Sequence, residues 1–135
     1  MNKKQYEAIA EFRYSIRKFL QFSETAAHAA GITPQQHQVL LAIKGYPGRE
    51  WATVGELAER LCAGQTAVTN LVGRMEAAGL LERRTNPRDR RSVTVHITGK
   101  GEEILSSLSK QHMSELNRLR GQALNFQLPS EEAPA

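Results

Sequence analysis

The chain has a single cysteine, Cys62, in 135 residues. It closes no disulfide on itself, which argues against a small secreted scaffold stapled by cross-links. Long apolar runs are also lacking: no segment approaches the roughly 20 residues that span a bilayer. The opening Met1-Asn2-Lys3-Lys4-Gln5-Tyr6-Glu7 is charged, and no apolar stretch of signal-peptide type follows it. The expectation is a cytoplasmic protein with no membrane partner. Aromatic residues are scarce, eight in all, and lie mostly on apolar helical stripes, so no stacking platform for single-stranded RNA is offered. His28, His37, His96 and His112 show no paired spacing of the His-x-x-x-His sort, and no metal site is expected. A nucleophile elbow and a glycine-rich phosphate loop are both missing, and the Gly99-Lys100-Gly101 turn lacks the third glycine of a dinucleotide fingerprint. Without convergent catalytic groups, neither enzyme activity nor a cofactor is expected.

What is present is ordinary soluble composition, 40% hydrophobic and 24% charged, in a length that suits one domain. The net charge is +4. From Arg83 to Arg91 stand five arginines (Arg83, Arg84, Arg88, Arg90, Arg91) against one acid, Asp89. That segment alone holds as much net charge as the whole chain, so positive potential is focused on one short stretch and points to a polyanionic partner.

Hydrophobic periodicity organises the rest. Tyr6, Ile9, Phe12, Ile16, Phe19 and Leu20 recur at helical spacing, which predicts a helix over 3–30 that Gly31 stops. Thr33-Pro34-Gln35-Gln36 and Thr53-Val54-Gly55-Glu56 are capping boxes opening two further helices. The first carries Val39, Leu40 and Ile43; the second carries Leu57, Ala58 and Leu61. Residues 45–52 between them read as a connector with turn chemistry. After a turn at Cys62-Ala63-Gly64, a helix from Gln65 sets Ala67, Val68, Leu71, Val72 and Met75 inward and closes at Ala78-Gly79-Leu80. Two strands follow, a short one over 80–84 and an alternating one over 92–98, joined by a polar hairpin loop. Thr98 caps a last helix whose stripe (Leu105, Leu108, His112, Leu116, Leu119, Ala123, Phe126) has the 3.5-residue spacing of a coiled-coil seam. The fold class is α+β, mostly helical.

Two short helices joined by a tight turn, followed by a hairpin with an arginine-rich tip, suit duplex DNA. The second helix fits the major groove, and its outward residues Gln65, Thr66, Thr69, Asn70 and Arg74 reach base edges. The hairpin projects arginine toward the narrower minor groove, where the potential is most negative. The bland alternative, merely solvated faces of a helix and a turn, holds for any single residue more readily than for the set.

Asp89-Arg90-Arg91-Ser92-Val93-Thr94-Val95-His96-Ile97-Thr98-Gly99-Lys100-Gly101 resembles the wing signature of the MarR family of bacterial regulators. Residues 54–61 and 67–80 match that family's helix-turn-helix in order and spacing, so the likeness covers about residues 30–105. It implies a single domain over 1–135, with a winged helix-turn-helix at 33–98 and dimerisation helices at 3–30 and 99–128. It further implies a repressor that binds an inverted-repeat operator in double-stranded DNA as a homodimer. Arg91 would enter the minor groove, Arg88 and Arg90 would flank it, and Asp89 would hold the wing in shape by pairing with arginine. The turn departs from the many relatives with a glycine–apolar–serine pattern, so their serine cap is missing here.

The apolar stripes of the first and last helices are too large for so small a domain to cover alone, which independently favours a closed two-fold dimer over a monomeric bundle. Members of the family often bind a small-molecule effector in a cleft between the dimer helices and the DNA-binding lobe. Tyr14, Arg17, His28, His37 and Trp51 are candidate contributors, although none is grouped so as to identify a ligand. Cys62 reads as a small packing residue of the turn rather than a redox sensor, and His112 as a packed or dimer-axis histidine. The competing reading is a winged helix that serves protein contact without specific DNA binding.

Overall fold

The structure, a computed structural model, describes residues 1–86 and 88–120, without the side chain of Arg90. The stripe positions Ala123 and Phe126, and the end of the last helix at 121–128, lie outside the described residues. Among the described residues, five helices and three strands follow in the order α1 (Lys3–Ala29), α2 (Pro34–Lys44), β1 (Trp51–Ala52), α3 (Val54–Leu61), α4 (Gln65–Ala77), β2 (Leu81–Asn86), β3 (Asp89–Ile97) and α5 (Gly99–Arg120). This is a winged-helix fold.

Local chemistry accounts for the helix boundaries. Asn2, Thr33 and Thr53 each accept a hydrogen bond from the backbone N–H three residues on, and Gln5, Gln36 and Glu56 reciprocate to the cap backbone. Each box satisfies two of the donors that a helix N-terminus leaves orphaned. Gly79 takes a positive φ of 77°, which lets the chain reverse after α4 and drops Leu80 into the core, 3% exposed. Thr98 Oγ1 accepts from Gly101 N–H at 3.2 Å and donates to the Gly79 carbonyl, tying the start of α5 to the end of α4.

The core lies where α2 meets everything else. Val39, Leu40 and Ile43 of α2 are fully buried with Leu57 of α3, Val72 and Met75 of α4, Val95 of β3 and Leu108 of α5. Each such side chain contributes about 1.5–3 kcal/mol of transfer free energy. The antiparallel sheet has the order β1-β3-β2, with Ala52 opposite Val95 and Arg83 opposite Val95 on the other side.

Several expectations are corrected. The 45–52 connector ends in β1, a two-residue strand, because Trp51 and Ala52 pair with His96 and Val95. β2 begins at Leu81 and runs on to Asn86, lengthening the hairpin. The strict alternation of β3 does not carry through to burial: Val93 is exposed while Thr94 is buried. The wing tip extends past the helical layer, whereas Thr94 Oγ1 is held by the Arg84 carbonyl and the His96 ring. Ala67 faces solvent rather than the core. Cys62 is exposed too, at the left-handed C-cap of α3 with φ 53°, so it does not pack the turn. The stripe of α5 is also partly covered within the chain, since Leu105, Leu108 and Leu119 are buried. In α1, by contrast, Tyr6, Ile9, Phe12, Ile16 and Leu20 remain 38–59% exposed.

Gly101 sits at the tightest crossing of the fold. A Cβ there would lie 2.5 Å from the Leu80 carbonyl oxygen and 2.7 Å from Ile97 Cγ2. The first of these is backbone and gives way only if α5 moves. Gly101→Ala should therefore lower stability by about 1–3 kcal/mol despite its better helix propensity, measured by urea unfolding; an unchanged midpoint would contradict the close packing of α5 against Leu80 and Ile97.

Candidate nucleic-acid interface

The helix-turn-helix is positioned from its first residue. Glu56 closes the α3 capping box with Thr53 and also accepts from the Tyr46 hydroxyl at 2.7 Å and from the Arg49 guanidinium. Arg49 is itself sandwiched, 4.1 Å from the Tyr46 ring centroid and 3.9 Å from that of Trp51. Burial by itself would raise the Glu56 pKa. The hydrogen bonds from Tyr46, Thr53 and Arg49 outweigh that and hold the carboxyl down at about 2. This knot fastens the 45–52 connector to α3. The capping box was visible in the sequence, but the fold-back of Tyr46, Arg49 and Trp51 onto it was not.

After Leu61 the chain reverses through Cys62, with Ala63 N–H bonding to the Ala58 carbonyl at 3.0 Å. Gly64 caps α4 without any side-chain hydrogen bond, in keeping with the missing serine. Val68, Val72 and Met75 anchor α4 to the core. The 3.6-residue period then turns Gln65, Thr66, Thr69, Asn70 and Arg74 outward, and all five are exposed. Thr69 spends its hydroxyl proton on the Gln65 carbonyl at 2.8 Å, leaving the oxygen lone pairs and methyl available.

The wing is shaped by two short polar side chains. Asn86 Oδ1 accepts from Arg88 N–H and Asp89 Oδ1 from Arg91 N–H, each at 3.0 Å. Asp89 thus organises the wing through the Arg91 backbone amide. Along β2, Arg83 and Arg84 are matched with Glu76 and Glu82. Arg88 and Arg91 have no ion pair among the described residues, and both are exposed. Among the described residues, the arginine run is thus matched by acids at Arg83 and Arg84 and exposed without an ion pair at Arg88 and Arg91.

A shallow cleft of about 380 Å³ brings the three parts together: Thr53, Val54 and Gly55 from the start of α3, Gln65 from the start of α4, and Asp89, Arg91, Ser92 and Val93 from the wing. The helix-turn-helix and the wing thus share one surface. A second, larger groove of about 860 Å³ runs between α2 and α4, with Leu41, Leu61, Ala67 and Leu71 on its floor and Arg60 and Arg74 among its lining.

The candidate effector residues do not converge. Tyr14, Arg17 and His28 are exposed along α1, with Lys18 Nζ 5.4 Å from the Tyr14 ring centroid. Trp51 is committed to Arg49. His37 is 2% exposed and its ring packs at a tilt against that of His112, which is packed as expected. None of the five lines either cleft.

Comparison with known proteins agrees with this geometry. The MarR family model matches residues 30–92, the stretch from the start of α2 to the wing. A MarR family transcription regulator, SP03579, superposes with a TM-score of 0.74 at 27% identity, over 87% of this chain and 76% of that one. The chain belongs to the MarR family. The putative transcriptional regulatory protein for the hcr operon of Thauera aromatica is 29% identical over 103 residues, 76% of this chain and 60% of that protein. This MarR chain therefore spans about three fifths of that relative's length. The MarR fold is shared, at 21% identity and a TM-score of 0.68, with a mutant of S. aureus MepR solved bound to an oligodeoxyribonucleotide, over 90% of this chain and 83% of that one. No helix among the described residues of this MarR protein is long and apolar enough to cross a membrane.

The Glu56 knot makes a pH-dependent contribution to stability. A carboxyl whose pKa is lowered from 4.5 to about 2 on folding stabilises the fold above pH 4.5, and that stabilisation is lost as pH falls toward 2. Glu56→Gln should cost about 1–3 kcal/mol at pH 7. In urea unfolding at pH 7 and pH 3 the gap from wild type should narrow at the lower pH; a constant gap would show that the carboxylate charge is not what matters.

Proposed function

We propose that this chain is a sequence-specific DNA-binding transcriptional regulator that acts as a homodimer on an inverted-repeat operator. The observation that carries the reading is the shared surface of α4 and the wing, with Gln65 and Arg91 lining one cleft and Arg88 and Arg91 exposed at the wing tip. In this reading α4 enters the major groove, where Gln65 and Asn70 suit adenine and Arg74 suits guanine, with Thr66 and Thr69 beside them. Arg91 enters the adjacent minor groove, flanked by Arg88 and Arg90, with Asp89 fixing the turn that presents it. The MepR neighbour, which has this fold and was solved on an oligodeoxyribonucleotide, supports the docking mode.

The exposed face of α1 supports the dimer. Ile9, Phe12, Ile16 and Leu20 form an apolar stripe that a second copy covers in a two-fold arrangement. Residues 1–135 then form one domain, with 33–98 as the DNA-binding lobe and 3–30 and 99–128 as dimerisation helices. Such a pair of lobes reads half-sites one helical turn apart. We assign repression, relieved by a small-molecule effector that shifts the spacing of the two lobes. Support for repression lies in relatives such as the repressor MdtR of Bacillus subtilis.

Fluorescence anisotropy tests the reading. A labelled duplex from upstream of the gene should bind two chains in preference to a scrambled duplex of equal composition, with a steep salt dependence. Equal or negligible binding to every duplex in a random-sequence selection would instead favour a protein-contact winged helix. Arg91→Ala should weaken specific binding by about 1–3 kcal/mol while circular dichroism stays native; unchanged affinity would remove the wing from the interface. Replacing Ile9 and Ile16 together by glutamate should convert the dimer to monomer in sedimentation velocity, and a persistent dimer would locate the contact elsewhere.

A further inference from the structure

The winged-helix lobe meets the long helices at a histidine pair. His37 of α2 and His112 of α5 lie in contact with ring centroids 4.8 Å apart and planes tilted by 53°. Phe19 and Phe22 of α1 close the site edgewise, at 5.8 and 5.3 Å from the His112 ring. The hydrogen bonds settle the state of His112. A carbonyl only accepts, so Nδ1–H donates to the Leu108 oxygen at 2.7 Å, and in the neutral ring Nε2 accepts from the Ser23 hydroxyl at 2.8 Å. Neutral His112 is thereby fully satisfied between α1 and its own helix. His37 is not: it is 2% exposed, and its Nδ1 is buried without a partner.

We propose that His37 and His112 form a proton-operated joint, closed when His37 is neutral and opened between α2 and the α1–α5 pair when it is charged. A hydroxyl both donates and accepts, so His112 has an adaptable partner in Ser23 Oγ. A proton on His37 finds none at Nδ1. It would place a charged ring among apolar neighbours, with a second imidazole as its electrostatic partner and the orphaned Nδ1 turned into a charged donor lacking an acceptor. Among the described residues, the groups in contact with the pair include no anion: α1 presents Phe19, Phe22 and Ser23, and α5 presents Leu108 and His112. The nearest acid along α5, Glu115, is engaged by Arg118, with Lys18 of α1 also acting on it. Burial, and then the nearness of His112, accordingly hold the His37 pKa below the ordinary 6.5.

The sign follows from linkage. A histidine with a lowered pKa binds its proton more readily in the open form, so the closed joint is fully retained above pH 6.5 and weakens as pH falls below it. The joint lies between the helices assigned to dimerisation and the first helix of the DNA-binding lobe, yet its operation does not depend on that functional reading being right.

Two measurements on the full chain test it without DNA. In wild-type protein, histidine-ring NMR from pH 8 to pH 5 should show His37 staying neutral through the ordinary value of 6.5. Amide resonances of α1, α2 and α5 around Ser23, His37 and His112 should change together once His37 does charge. In urea unfolding, the wild-type unfolding constant should rise relative to His37→Phe by up to tenfold per pH unit below 6.5, the signature of one proton. His37→Gln serves the same purpose should the phenylalanine variant not fold. Charging of His37 at the ordinary 6.5 with an unperturbed amide spectrum, or parallel pH dependence in wild type and variant, would overturn the joint.

Discussion

The burial of α2 is the constraint on which the rest of the structure depends. This helix is only eleven residues long, yet it touches α1, α3, α4, α5, β1 and β3. Val39, Leu40 and Ile43 are its anchors, all completely buried. Because protein interiors are packed like crystals, an element gripped from so many directions has essentially one position. The helix-turn-helix is then built outward from it on one side and the long helices on the other. Whatever alters the seating of α2 alters the relation between the two halves, which gives the His37–His112 contact its mechanical meaning.

The candidate interface illustrates a division of labour among charges. Arg83 and Arg84 are matched by Glu76 and Glu82, and Arg49 is stacked and paired inside the connector. Exposed pairs of this kind add little stability, commonly about 0–1 kcal/mol. Their consequence is electrostatic: they discharge the strand base and leave the potential at the wing tip. A polyanion meets that tip and the outward face of α4 as one surface, because Thr53–Gly55 and Gln65 adjoin the wing. Asn86 and Asp89 contribute by fixing the backbone through short side chains, as Asx turns do elsewhere.

Much of this was legible in the residues. Capping boxes at Thr33 and Thr53, the glycine stop at Gly79 and the cap at Thr98 depend on hydrogen bonds within a few residues, so each appears in the structure where the sequence implies it. The outward set on α4 follows from period alone, since three anchors determine which way the remaining side chains turn. The family resemblance, carried by the wing signature and the ordered helix-turn-helix, is met by the family match over residues 30–92.

What the sequence did not decide is long-range. β1 has two residues and no alternation to betray it; it exists because β3 offers an edge. Val93 and Ala67 look like core by pattern, but pattern cannot say which positions the neighbouring elements reach, and both are exposed. Cys62 looked like a packing residue because turns favour small side chains, whereas its left-handed backbone directs it to solvent. Glu56 was readable as a cap but not as the centre of a knot with Tyr46 and Arg49. His37 and His112, far apart in the chain, could only be joined by the folding of α5 against α2. The sequence by itself determined the elements, their ends and their outward faces, because those rest on contacts between near neighbours. Tertiary structure alone decided which buried polar groups meet, because that depends on how separately specified helices are brought together.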